Sequence, residues 1–119
     1  DIGTVVRSCL LLWLFGIEFR RGESFAAAAE RAVFPFALVR TFVQAFLAAY
    51  VKKKALPGHL TDALLRRAFA YAGAALVQST MADARGRDRL TRRQLAMLQM
   101  SIDLMDDPDR ARRELFDVA

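Results

Sequence analysis

Residues 9–17 contain no polar side chain. Together with Val5 and Val6 they make the opening of the chain apolar on nearly every side of a helix. Val5, Val6, Cys9, Leu10, Leu11, Leu12, Trp13 and Leu14 cannot share one stripe, because successive helical residues turn by about 100°. A helix of this kind, expected over residues 2–16, has to be sandwiched between layers. The run is far shorter than the roughly 20 residues a membrane span requires, and Arg7 and Glu18 flank it. Its length would suit the core of a signal peptide. However, Asp1 and the following Glu18-Phe19-Arg20-Arg21 replace the basic start and small-residue cleavage site of such a signal, so the expectation is a cytoplasmic chain with no membrane partner.

The remainder reads as helix as well, since apolar residues recur at helical spacing and no segment alternates long enough to be a half-buried strand. Ser24 is a candidate N-cap for a short Ala-rich turn over residues 25–33. Pro35 fits the first turn of a second long helix, with Val39, Val43, Phe46 and Tyr50 on its face and Phe36, Leu38, Phe42 and Leu47 widening the stripe. Lys52-Lys53-Lys54 complement the dipole at its end, and Leu56-Pro57-Gly58-His59 breaks it. A third helix is expected over residues 60–85, with Leu60, Leu64, Ala68, Tyr71 and Ala75 on one face. Ala70, Ala72, Gly73 and Ala74 would let a neighbour approach closely, and Gly86 is its expected C′ residue. Thr91-Arg92-Arg93-Gln94 forms a capping box opening a fourth helix, with Leu95, Leu98, Ile102 and Met105 expected on the buried side. Asp107-Pro108-Asp109 then caps a short final helix. The fold class is therefore all-α: a helical bundle of four main helices plus a short C-terminal one, over a single (sub)domain spanning residues 1–119.

A chain of 119 residues can bury one modest core, yet its apolar fraction of 55% exceeds the usual content of about 45–50%. The excess implies apolar surface that a partner covers. The net charge of +5 makes anionic partners conceivable. Its densest part, Arg85, Arg87, Arg89, Arg92 and Arg93, is diluted by Asp83 and Asp88 and has no aromatic residue between Tyr71 and Phe116, so it reads as a solvated turn rather than a nucleic-acid surface.

The residues that could carry chemistry are few. His59 is the only histidine and lacks companions at zinc-ligand spacing, so it reads as a loop residue. Cys9, the only cysteine, sits in the most apolar helix, where a thiol packs and stays unreactive. Asp103, Asp106, Asp107 and Asp109 lack the alternation, central Gly and terminal Glu of a calcium loop, and capping accounts for Asp107 and Asp109. There is no Gly-rich phosphate loop. The aromatic set Trp13, Phe15, Phe19, Phe34, Phe36, Phe42, Phe46 and Tyr50 serves a core or one wall of a ligand pocket.

The chain does carry a familiar order of features. An Asp1-Ile2-Gly3 start leads into an apolar helix ending in Trp13-Leu14-Phe15. A Pro35 helix follows, carrying Phe42-Val43-Gln44-Ala45-Phe46-Leu47-Ala48-Ala49-Tyr50, then Arg67-Ala68-Phe69-Ala70-Tyr71-Ala72-Gly73, and finally Asp106-Asp107-Pro108-Asp109. This order resembles the C-terminal helical part of aminoglycoside-phosphotransferase-like kinases, which have a protein-kinase-like fold and phosphorylate hydroxyl groups of small molecules. The resemblance implies that Asp1 anchors a catalytic loop and that Trp13, Phe46 and Tyr50 contribute to the acceptor-substrate pocket. It also implies ATP and Mg for the full-length protein, with no cofactor held by this segment. The family's catalytic His-Gly-Asp segment, metal-binding aspartate and nucleotide-binding lysine have no equivalent here, so these residues alone are not expected to transfer a phosphoryl group.

Two functional expectations follow. One is the helical, substrate-side portion of a small-molecule phosphotransferase, a fragment of a larger kinase-like protein whose N-terminal catalytic part covers the apolar excess. The other is a ligand-binding or dimerisation domain of a transcriptional regulator, in which a second copy covers that excess and a closed pocket takes the ligand.

Overall fold

The computed structural model describes residues 2–118, and all of their regular structure is helical. The elements are α1 (Ile2–Phe15), α2 (Phe25–Glu30), α3 (Phe36–Lys54), α4 (Gly58–Ala84), α5 (Arg92–Asp106) and α6 (Pro108–Phe116). Most boundaries are set where capping chemistry places them. The Ser24 hydroxyl accepts from Ala27 N–H to open α2. Pro35 stands at the N-cap of α3, one position before the first turn expected for it, where its carbonyl accepts from the Leu38 and Val39 N–H groups. At α5 both halves of the capping box form: Gln94 N–H donates to Thr91 Oγ1 at 3.2 Å, and Thr91 N–H donates to Gln94 Oε1 at 2.8 Å. Gly86 leaves α4 with φ +77°, a conformation that costs glycine little.

α4 is the axis of the assembly. α1 packs along one side of it and α5 along another, α6 crosses near its start, and α3 lies antiparallel to α1. The core runs through Val6, Leu10, Leu14, Val43, Phe69, Leu76, Met97, Leu104 and Phe116, all essentially inaccessible. The whole measures 48 × 27 × 19 Å, and a thickness of 19 Å holds about two helices of roughly 10 Å diameter. In a slab two helices thick, the all-round apolar α1 is covered by α4 and α3 but not on every side.

Two glycines set the closest approaches. A Cβ on Gly3 would lie 2.9 Å from the Ala68 carbonyl, where α1 meets α4. One on Gly73 would lie 2.8 Å from the Ser101 carbonyl and 3.0 Å from Leu104 Cβ, where α5 meets α4. The α4–α5 seam explains a correction to the expected face of α5. Leu95, Ile102 and Met105 are exposed, and the buried residues are Gln94, Met97, Ser101 and Leu104. The helix turns its small and self-satisfied side to Gly73. Ser101 Oγ donates to Met97 O at 2.7 Å, and Thr80 Oγ1 on α4 donates to Leu76 O at 2.7 Å. Gln94 Nε2 donates to Asp83 at 3.0 Å, so both the oxygen and the nitrogen of this buried amide have a partner. On α4 the expected face is shifted only in part: Ala68 and Ala75 are buried and Leu64 packs on the core as expected, whereas Leu60 and Tyr71 are exposed and Leu65, Phe69 and Leu76 are buried instead.

α6 is held by both neighbours. Arg40 Nε and Gln44 Nε2 on α3 donate to the carbonyls of Leu115 and Phe116, at 2.8 and 2.7 Å, satisfying its C-terminal end. Asp107 caps its start as expected, accepting from Arg110 N–H. Asp109 does something else: it accepts from Arg66 Nε on α4 at 2.9 Å and faces the buried Arg112, 3.4 Å away. Those guanidinium groups hold the Asp109 carboxyl below the usual carboxylate range, the Arg66 hydrogen bond being the main cause.

Two outcomes follow from these contacts. Gly73→Ala is expected to destabilise the fold by about 1–2 kcal/mol despite alanine's higher helix propensity, because the Ser101 carbonyl is backbone and cannot step aside. A lower urea midpoint with unchanged slope would register it. Asp109 ionises at lower pH in the folded chain than in the unfolded one, so its contribution is complete above about pH 4 and is lost as pH falls through the folded value. Asp109→Asn should therefore lower stability at neutral pH and flatten its acid dependence, whereas an unchanged acid limb in thermal melts would show the pair to be idle.

Candidate functional site: an apolar groove between α1 and α3

The side of α1 that neither α4 nor α3 covers forms the floor of a groove. Its floor is Val5, Cys9 and Leu12, and its far wall is Phe34, Leu38 and Phe42, enclosing about 710 Å³. A second hollow of about 460 Å³ continues it through Ser8, Leu12 and Phe34 toward Phe15 and Val33. Leu38 is 57% exposed and Phe42 54%, and Leu12, Phe15 and Val33 are exposed alongside them. Leu38 and Phe42, expected to widen the core stripe of α3, therefore lie at its outer edge instead. The groove is open along its length rather than a closed internal pocket. Covering one half-exposed side chain of this size contributes roughly 1 kcal/mol, so the face as a whole holds a substantial driving force for association.

The only reactive side chain here is Cys9, which is half-buried, and burial pushes its thiol up from the ordinary range. A protonated thiol among leucines and phenylalanines offers no nucleophile. Thr4 and Ser8 are the remaining polar side chains lining the groove. The arrangement presents an apolar surface to whatever packs against it.

The residues expected to border an acceptor pocket are distributed along this layer. Trp13 is buried at the C-terminal end of α1, with Phe36 edge-on at 4.7 Å and Phe25 at 5.9 Å. Its Nε1 finds no acceptor among the described residues. Phe46 and Tyr50 are half-buried further along α3, continuing from Phe42 as a ladder with ring centroids 6.5 and 6.2 Å apart. Tyr50 borders a shallow hollow with Ile2, Arg67 and Tyr71 at the opposite end of α1. Ile2 and Trp13 stand eleven positions apart on α1, roughly 16 Å, so Trp13 and Tyr50 do not share a pocket. Asp1 lies outside the described residues.

The arginine-rich turn divides into two parts. Arg85, Arg87 and Arg89 are exposed, as a solvated turn requires. Arg93 is structural: its Nε donates to Leu14 O at 3.0 Å and its Nη2 to Ile17 O at 2.6 Å, and its guanidinium lies over both Phe15 and Phe19. Arg92 donates to the carbonyls of Arg20 and Glu23 and also covers Phe19. Sequence spacing alone holds no signal for these contacts, since about 70 residues separate the partners. His59 is exposed in the first turn of α4 rather than in a loop.

Among the described residues no group of His, Cys, Asp and Glu could hold a metal ion, and no helix is long and apolar enough to cross a membrane. Comparison with family models, with curated proteins and with solved structures finds no match for the chain.

The groove makes one direct expectation. Alkylation of Cys9 by iodoacetamide at neutral pH should be slower than that of a free thiol and should slow further when a partner covers α1 and α3. A rate equal to that of glutathione would show that the thiol is neither buried nor raised.

Proposed function

We propose that the chain is the helical, substrate-side portion of a small-molecule phosphotransferase, and that its α1–α3 groove is the surface on which the catalytic portion packs. One observation carries this reading: a continuous apolar groove from Val33 to Phe42, open rather than enclosed, on a unit with no catalytic constellation among its described residues. A face of this kind favours a scaffold that another structural layer completes. The resemblance in the order of its helices supplies the identity of that layer. The runner-up, a regulator's ligand-binding domain, calls for an enclosed pocket, and the large hollows here are open grooves.

The described residues do not fit ATP or Mg. They provide neither the carboxylates for a metal nor a Gly-rich cradle for phosphates, so binding and activation of the nucleotide belong to the catalytic portion. The contribution of this chain is a wall that positions the acceptor hydroxyl and excludes water. Tyr50 and Tyr71, which border the hollow beside Ile2, are the side chains this reading assigns to contact with an acceptor. Trp13 supports that wall from within the core.

The test joins the mass of the native gene product to its activity. The product is expected to exceed 13.3 kDa, to hydrolyse or transfer from ATP in the presence of a hydroxyl acceptor, and to lose activity on Leu38→Lys through loss of packing. Tyr50→Ala is expected to raise the acceptor KM more than it lowers kcat. A native product of 13.3 kDa that consumes no ATP would overturn the proposal.

A further inference from the structure

The outward side of α5 is a second apolar surface, independent of how the α1–α3 groove is used. Leu95 is 54% exposed and Ile102 is 55% exposed, two helical turns apart. Beside them lies a groove of about 480 Å³ whose floor includes Ala96, with Phe25, Leu95, Gln99 and Met100 around it. The polar residues of this side are segregated. Arg92, held in place by the Arg20 and Glu23 carbonyls, marks the N-terminal end, and Asp103 and Asp106 mark the C-terminal end. Gln99 stands midway, with its amide donating to Asp103 at 3.1 Å.

We infer that this face is an isologous interface between two copies of the chain, with the α5 helices antiparallel and the two-fold axis at Gln99. The charges at the two ends of the face set the register, which also brings Leu95 opposite Asp103 of the partner subunit. With the axis at Gln99, Ile102 of one copy falls opposite Ala96 of the partner subunit, the small residue on the floor of the groove. This is a projecting side chain meeting a hole, and the symmetry repeats the contact. The same axis sets Arg92 opposite Asp106 of the partner subunit at both ends, and it opposes the two helix dipoles. A parallel pairing would instead bring like charges together at each end. Charge complementarity thus selects a second copy in one orientation. α5 is about 22 Å long, and a face one helix wide and of that length makes a small interface, so a concentration-dependent equilibrium between monomer and dimer is expected.

The test uses the full chain carrying Leu38→Lys, which removes association through the α1–α3 groove, with circular dichroism verifying the fold of every variant. Sedimentation equilibrium is expected to show a concentration-dependent dimer. Ile102→Lys should raise the dissociation constant more than tenfold, and Gln99→Glu should raise it by placing like charges across the axis. In a Cys9→Ser background, Gln99→Cys should form a disulfide-linked dimer on oxidation, while Leu90→Cys, well off the axis, should not. A chain that stays monomeric at 100 µM, or a dimer indifferent to Ile102→Lys, or equal crosslinking at both positions would overturn the inference.

Discussion

The constraint on which the rest of the structure depends is that α1 is apolar around most of its circumference while the chain is only about two helices thick. α4 takes the side bearing Val6, Leu10 and Leu14, and α3 closes a second side through Val39 and Val43. No helix remains to cover Val5, Cys9 and Leu12. The slab therefore carries an apolar seam as a direct consequence of one helix, and the phenylalanines of α3 and the preceding turn deepen that seam instead of filling it. Each exposed leucine or phenylalanine there is a small cost in water and a small gain on association, and together they decide the direction of that balance.

The end of α1 is fixed by charge rather than by further packing. The Leu14 carbonyl, in the last turn of α1, accepts from Ile17 N–H at 3.2 Å, and Arg93 reaches both it and the Ile17 carbonyl just beyond the helix from the first turn of α5. A cation at a helix C-terminus also meets the negative end of the helix dipole. Because Arg93 simultaneously covers Phe15 and Phe19, one side chain ties the exit of α1, the loop behind it and the start of α5 into one unit. Arg92 repeats the arrangement on the carbonyls of Arg20 and Glu23. Two residues of a cluster that composition presents as solvated charge are thus internal fasteners, each making charge-assisted bonds of the stronger kind.

Local chemistry made much of this architecture legible from the chain. The all-α class, the Ser24 cap, the capping box of Thr91 and Gln94, the C′ glycine at position 86 and the Asp107 cap all depend on residues within four positions of one another, and each is found. The buried face of α5 was not legible. Leu95, Leu98, Ile102 and Met105 form the more apolar stripe, yet burial followed size and hydrogen-bond closure: Ser101 passes Gly73 because it is small, and Gln94 tolerates the interior because both ends of its amide are satisfied. Apolarity ranks the faces of an isolated helix, whereas the neighbour's shape ranks them in a packed one. The groove was foreshadowed only in bulk, as an apolar fraction too high for one core; which of Leu38, Phe42, Phe46 and Tyr50 would face outward depends on where α1 lies across α3.

These features have a joint consequence for the two apolar surfaces. α1 and α5 are clasped to α4 at Gly3 and Gly73, where a backbone carbonyl of the facing helix leaves no space for a Cβ, and Arg93 locks their near ends to each other. Close contacts of this kind leave little room for the helices to slide, because packed interiors resist continuous deformation. The α1–α3 groove and the outer face of α5 are consequently held at a set angle by the same three contacts. A substitution that loosens Gly73 or Arg93 should disturb both surfaces together, although it lies in neither, while a substitution within one face should leave the geometry of the other unchanged.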